Sequence, residues 1–302
     1  LNYLDLKISG GIICLVLFIH SGHSQYILNG DFEINNVAPG MGPYNGALTI
    51  SQFNSLVPHC FVFAGQGYYP IGLFPSTSSW LELPQNGDWY LAFTAGGLNH
   101  TPIEVSLELS EPLIAGITYK MSFYDGARPH HCAVPIEIGV STENNAFGTS
   151  IYTGGTPPNE GWALRGVEFV APNNGLFITL RGIHSSCQVS SWSWVRIDNI
   201  CLSIDASCVQ LPEFSMPNVF TPNNDGVNDI FKPIKFKGMK QGKMTILNRW
   251  GQTVFETEDI LNGWDGLHNN QQCTDGVYYW IVTYTDIFDE MKTETGFLTL
   301  IR

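Results

Sequence analysis

The sequence reads as an all-β chain of two sandwiches, the second smaller than the first, and three observations carry that reading. Apolar and polar residues alternate in short runs, as in Val105, Leu107 and Leu109 against Glu104, Ser106, Glu108 and Ser110. Period two with one apolar face is the pattern of strands in a half-buried antiparallel sheet. Turn clusters such as Pro172-Asn173-Asn174-Gly175 punctuate the runs. The composition agrees: 31 glycines, 17 prolines and 13% aromatic residues against 14% charged suit short strands joined by turns.

The chain opens with a targeting segment, residues 1–24. Lys7 precedes the apolar run Ile12–Ile19, and Gly22-His23-Ser24 supplies small residues for cleavage after Ser24, leaving Gln25 as the first mature residue. The run is short for a permanent anchor, and no later stretch approaches the ~20 apolar residues a helical span needs, so no transmembrane anchor is expected in the mature chain. The first residue is Leu1 rather than Met, which leaves the natural start open.

Residues 25–207 form the first domain. Ile117, Tyr119, Met121 and Phe123 alternate with polar neighbours, and Ile136, Ile138 and Val140, then Leu176, Ile178 and Leu180, repeat the pattern. No stretch shows helical periodicity, and the expected architecture is a jelly-roll β-sandwich. The alternation stops at Cys208, and 208–215, with Leu211-Pro212-Glu213, reads as a linker. A second β domain occupies 216–302, with strands expected at Asn218–Thr221, Met244–Asn248, Thr253–Glu256, Val277–Tyr284 and Thr295–Ile301.

The net charge of −13 excludes a nucleic-acid partner, which demands a basic footprint. Loss of the targeting segment removes Cys14 and leaves Cys60, Cys132, Cys187, Cys201, Cys208 and Cys273, an even set that favours disulfides in an exported protein. Cys201 and Cys208 enclose a short loop at the exit of the first domain and make the best local bridge. Five of the six cysteines lie in that domain, so one of them has no partner there if Cys273 stays free.

The strongest motif is Pro217-Asn218-Val219-Phe220-Thr221-Pro222-Asn223-Asn224-Asp225-Gly226-Val227-Asn228-Asp229, a short strand, a proline stop and an Asn/Asp/Gly turn. Ile246-Leu247-Asn248-Arg249-Trp250-Gly251, Gly263-Trp264-Asp265-Gly266 and Asp275-Gly276-Val277-Tyr278-Tyr279-Trp280 follow in order. Together they resemble the gliding-motility-associated C-terminal domain, the type B sorting signal of the type IX secretion system, over 216–302. The resemblance implies a small immunoglobulin-like β-sandwich without chemistry of its own. It also implies passage through the periplasm, recognition by the translocon and its outer-membrane partner proteins, and a secreted or cell-surface destination. The cluster Lys232, Lys235, Lys237, Lys240 and Lys243 is then either a lysine-blunted strand edge or a docking patch for the export machinery. Asn223, Asp225 and Asp229 resemble a calcium loop around Gly226, against the alternative of an Asx-rich turn held by its own side chains.

Leu28-Asn29-Gly30-Asp31-Phe32-Glu33 near the start of the first domain, and Val195-Arg196-Ile197-Asp198-Asn199-Ile200 near its end, resemble the galactose-binding-like jelly rolls of many carbohydrate-binding modules. Gly87-Asp88-Trp89-Tyr90-Leu91 and Tyr119–Tyr124 add to the match. In that family the first and last strands lie side by side and a structural calcium commonly bridges them. Carried over, Glu33 and Asp198 are the ligands, with Asp31 a weaker third; the alternative is that Asp31 and Glu33 are merely exposed polar positions. For a sugar, the expected device is an aromatic platform. If Val195 and Ile197 point inward, Trp192, Trp194 and Arg196 share the opposite face; otherwise the rings cover a loop or the domain junction. Trp80, Trp89 and Trp162 are lesser candidates.

His59-Cys60, His130-His131-Cys132 and His184-x-x-Cys187 carry zinc-capable side chains, but their spacings match no compact zinc motif, and disulfides from Cys60, Cys132 or Cys187 compete for the same residues. No nucleophile elbow, metalloprotease helix or phosphate loop is present, and Asp125 beside Arg128 and His130 is the one imaginable catalytic cluster. The expected function is therefore an exported protein with a non-catalytic carbohydrate-binding module. The alternatives are a structural or adhesive surface protein without a sugar ligand, and a secreted polysaccharide hydrolase.

Overall fold

The computed structural model describes residues 26–41, 46–65, 70–77, 83–95, 101–128, 132–183, 193–205 and 207–302. The targeting segment, with Cys14, lies outside them.

Two antiparallel sheets make the first domain. One has six strands in the spatial order Ala47–Leu48, Ile71–Pro75, Trp89–Thr94, Trp194–Ser203, Thr118–Ala127 and Ala163–Val170. The other has five: Cys60–Ala64, Glu104–Glu108, Phe177–Gly182, Ile136–Ser141 and Thr149–Thr153. The alternating apolar residues face inward as the sequence expects. Met121, Phe123, Val195 and Ile197 of one sheet share a single buried core with Val105, Leu107, Ile138 and Leu180 of the other. The Tyr26 N–H donates to the Leu202 carbonyl (2.9 Å) and the Ile200 N–H to the Gly30 carbonyl (2.8 Å), so the two ends of the domain do lie side by side.

Among the described residues two short elements depart from the all-strand reading, the 3-10 turn Ile260–Asn262 and the α-helix Ile50–Leu56. The helix is the longer. Seven residues are too few to display a helical period. Its sequence signal is the capping box: the Gln52 N–H donates to the Thr49 hydroxyl, and the Thr49 N–H to the Gln52 side chain.

The second domain is built on a five-stranded sheet in the order Val219–Phe220, Met291–Leu300, Gly276–Asp286, Met239–Leu247 and Thr253–Thr257. Its first pair is parallel and the rest antiparallel. Tyr278, Trp280, Val282 and Tyr284 alternate inward and meet Phe220, Phe231, Ile246 and Trp264. Phe214, on the short strand Glu213–Ser215, lies 5.9 Å from Trp280 and 5.7 Å from Tyr284. The expected linker is therefore held at both ends, by the Cys201–Cys208 disulfide and by Phe214 in the second core.

The domains are in contact along the outer face of the six-stranded sheet. The hairpin tip between Gly276–Asp286 and Met291–Leu300 buries Ile287, and a Cβ on Gly166 would stand 2.7 Å from the Ile287 side chain. Lys120 reaches Glu168 (3.1 Å) and Glu290 (3.6 Å) and lies 5.0 Å from the centre of the Phe288 ring. The Gln210 N–H donates to the Ser122 hydroxyl at 2.9 Å.

Trp264 is the largest fully buried side chain among the described residues, and its indole N–H donates to the Leu267 carbonyl at 2.8 Å. Trp264→Ala should therefore cost about 3–5 kcal/mol. Urea unfolding followed by fluorescence reads this as a lower midpoint for the transition of the second domain.

Candidate functional site

The strand Trp194–Ser203 runs through the middle of the six-stranded sheet and turns Trp194, Arg196 and Asp198 to the outer face, because Val195 and Ile197 occupy the core. Register brings Trp194 opposite Thr94 and Arg196 between Ala92 and Gly126. Ala92 in turn faces Gly72, and Gly72 faces Ala47. A row of small side chains therefore crosses the sheet to Arg196. Phe74 and Tyr90 stack beside this row at 5.8 Å, and Trp194 meets Phe74 edge-on at 6.1 Å.

Trp162 completes the group. It stands edge-on to Tyr90 at 5.3 Å and 4.7 Å from the Arg196 guanidinium, with its indole N–H donating to the Leu83 carbonyl. Arg196 is fully buried and donates to the Gly161 carbonyl at 3.0 Å, while Trp162 and Trp194 stay half-buried. The sequence reading paired Arg196 with an open platform. Instead the guanidinium is the floor of an aromatic cluster, because the small residues beside it leave room for rings to close over. Trp192 lies outside the described residues, as do Trp80, His130, His131, His184 and Cys187.

Phe74, Tyr90 and the weight of Trp162 were missed. The available signal was the unbroken apolar stretches Ile71–Phe74 and Trp89–Phe93, which mark strands covered on both faces rather than one.

Beside this cluster two carboxylates grip one turn. Glu33 Oε1 accepts the Asp88 and Trp89 N–H groups at 2.8 and 2.9 Å. Asp198 Oδ2 accepts those of Gln85 and Asn86 at 2.9 and 3.3 Å, and Oδ1 that of Asn199 at 2.7 Å. Gly87, at φ 69°, sits against Glu33 where a Cβ would collide with its carboxylate. Asp198 is fully buried, and burial, opposed by those hydrogen bonds and reinforced by Glu33, pushes its pKa up to about 7. Asp31 stands apart, exposed, with Oδ1 3.4 Å from the Glu33 N–H. The carboxylates and the Gln85 amide oxygen, which accepts from Asn199, are hard donors of the kind calcium takes. Among the described residues no three His, Cys, Asp or Glu side chains form a metal-holding group.

In the second domain the run Pro217–Asp229 forms the parallel strand and the turn after it, and Trp264, Tyr278 and Trp280 of the later motifs fill the core. Residues 214–300 match the CHU_C type IX secretion signal domain. The chain is thus sorted by type IX secretion, which implies a secreted or cell-surface location and an interaction with that machinery. The chain is similar in structure to the K1 cleaved adhesin domain of Lys-gingipain from Porphyromonas gingivalis W83, at 11% identity and TM-score 0.36 over 53% of this chain and 94% of that one. It is also similar to the CBM22-1 xylan-binding domain of Paenibacillus barcinonensis Xyn10C, at 8% identity and TM-score 0.33 over 48% and 85%. No curated protein matches the sequence.

The lysines of the secretion signal domain are largely paired: Lys235 with Glu213 (3.0 Å), Lys240 with Asp289 (2.7 Å) and Lys243 with Glu256 (2.7 Å), while Lys237 lies over the Tyr124 ring. In the loop 223–229, Asp229 accepts N–H groups from Asn223, Asn224 and Gly226, and Asp225 Oδ1 accepts the Val227 N–H. These carboxylates face donors of their own loop, the arrangement of an Asx-rich turn. No helix of the described residues is long and apolar enough to cross a membrane.

The Cys201–Cys208 disulfide is present, with Cα atoms 5.8 Å apart, and Cys132 is also disulfide-bonded. Cys60 is not: it is a free, fully buried thiol whose pKa burial raises, with Asn29 as its hydrogen-bond partner. Cys273 is free as well. His59 turns Nδ1 to Glu108 at 2.9 Å rather than to a metal cluster. Asp125 is buried and pairs with Arg165 at 2.9 Å, with burial pushing its pKa up to about 6.

A raised carboxyl pKa means that the native state holds its proton above the pH at which the unfolded chain, near 3.8, releases it. Stability from Asp198 is then complete below about pH 4 and falls as pH rises towards 7. Thermal melts without added metal should show this decline, with Asp125 adding a similar trend ending near 6. Asp198→Asn should flatten the upper part of the slope; an unchanged profile would contradict the burial argument.

Proposed function

We propose that the first domain is a carbohydrate-binding module that holds its ligand without cleaving it, displayed outside the cell by the secretion signal domain. The observation that carries this reading is the half-buried pair on the outer face of the six-stranded sheet, Trp162 over Arg196 and Trp194 against Phe74. Indole faces stack on the apolar face of a pyranose, and the buried Arg196 guanidinium holds the Trp162 ring from beneath. The one carboxyl in the imagined catalytic cluster, Asp125, is buried and engaged with Arg165, which supports binding over hydrolysis. Both tryptophans are partly exposed, so Trp162→Ala and Trp194→Ala should weaken binding on a polysaccharide array about tenfold or more with modest change in melting temperature. A silent array for the wild type would leave the structural or adhesive reading; a loss of ~3 kcal/mol or more for either variant would make the rings core.

The export half of the reading has its own test. Removing 214–302 should leave the first domain in the periplasm, and normal appearance of the truncated protein at the cell surface or in the medium would contradict it.

Calcium is proposed at Glu33 and Asp198. A desolvated carboxylate beside a second one is relieved by a cation, and the site joins the start of the domain to its last strand, which supports a clip. Calcium should raise the melting temperature, by roughly 2.7 kcal/mol of stability at a hundredfold excess over Kd, and Asp198→Ala should abolish the gain. Identical melts in chelator and in excess calcium would remove the site.

A further inference from the structure

The secretion signal domain carries a cavity of about 230 Å³ that its own folding does not use. It is lined by Asn248, Arg249, Trp250, His268, Cys273 and Val277 among others. Two motif runs meet there, 246–251 and 275–280. Most motif side chains have structural work: Asn248 Oδ1 accepts the Trp250 and Gln252 N–H groups, Trp264 fills the core, and Asp275 is held by Arg302. Trp250 has none, being 73% exposed. Arg249 stacks on its ring at 4.7 Å and makes no ion pair among the described residues.

We propose that this cavity is where the export machinery grips the folded signal domain, and that the occupant is an acidic peptide segment. Its carboxylate meets Arg249 and an adjacent apolar side chain packs on Trp250. This rests on the reading of 214–300 as the export signal. The choice of occupant follows from charge and size. The cavity's own carboxylate, Asp275, is already held by Arg302, whereas Arg249 is exposed and makes no ion pair among the described residues, so a carboxylate is drawn to that guanidinium. An exposed indole with a stacked arginine is the pairing that dominates binding energy at interfaces. The cavity has room for a side chain, not for an element of secondary structure.

The test uses the full chain with its targeting segment in a type IX-secreting host, comparing the exported fraction with the periplasmic one. Trp250→Ala and Arg249→Glu should each lower the exported fraction about tenfold while the melting temperature of the purified protein stays put. Arg249→Lys should export nearly as wild type. Phe297→Ala, at a residue of the same domain that is 59% exposed and does not line the cavity, should export normally. Wild-type export of Trp250→Ala and Arg249→Glu would overturn the proposal, as would equal failure of Phe297→Ala. Normal export of Arg249→Glu alone would overturn the acidic occupant. Loss of polysaccharide binding with intact export would reassign the cavity to a sugar. The 214–302 deletion separates the two levels: if it is retained in the periplasm while the point variants export, the export reading stands and the cavity assignment falls.

Discussion

Parity on the strand Trp194–Ser203 is the constraint from which the first domain follows. Val195 and Ile197 must face the core, which forces Trp194, Arg196 and Asp198 onto the outer face. Asn199 then breaks the alternation: it sits at φ 50°, inside a register shift between Asp198 and Cys201, and Ile200 and Leu202 return to the core. Asparagine reaches the left-handed region at little cost, and a bulge both re-aims a side chain and bends the strand. Asp198 Oδ1 accepts the Asn199 N–H that the bulge frees. The aromatic floor therefore follows from the regular parity, and the carboxylate clamp and the junction with the start of the domain from the one irregularity that ends it.

The same outer face is divided between two tasks. At the Trp89–Thr94 end it carries the aromatic cluster around Arg196; at the Ala163–Val170 end it is covered by the secretion signal domain through Ile287, Phe288 and Glu290. Lys237 over Tyr124 marks the border, two register positions from Arg196, since Tyr124 pairs with Asp198 and Gly126 with Arg196. Ion pairs such as Lys120–Glu290 are partly exposed and contribute little each. The buried Ile287, seated where Gly166 has no side chain, supplies the attraction that fixes the contact. The signal domain is thus packed against its cargo on the face that carries the candidate site.

Much of this was legible because period-two patterning is a local property. The inward residues of both domains and the Cys201–Cys208 bridge follow from neighbours in sequence, while the side-by-side ends of the first were implied by its resemblance to the galactose-binding-like jelly rolls. What was not legible depends on what lies above a face. The burial of Arg196 requires the small residues Ala47, Gly72 and Ala92 on other strands and Trp162 from a distant loop. The free state of Cys60 has a similar origin: its thiol is enclosed in the core beside Asn29, a setting its sequence neighbours do not reveal. The pairing of the lysines likewise depends on Glu213, Glu256 and Asp289 arriving from other strands. The helix Ile50–Leu56 escaped because a capping box is a weaker mark than a period.

The secretion signal domain shows how a recognition motif divides its residues. A buried tryptophan such as Trp264 is held by its own core, so its presence says nothing about partners. Asp229 is consumed by three N–H groups of its own turn, and Asp275 by the backbone and guanidinium of Arg302. Once every group with an internal partner is set aside, the motif retains the exposed Trp250 with the Arg249 guanidinium stacked on it, beside the less exposed Val227, Val277 and Tyr279. Exposure of so large a ring gains nothing for folding, since its apolar area stays in water. A residue type that folding does not require at an exposed position, set beside a cavity and next to an unpaired charge, is explained by what binds there. That physical residue of the motif, rather than the motif as a whole, is where recognition by the export machinery is to be sought.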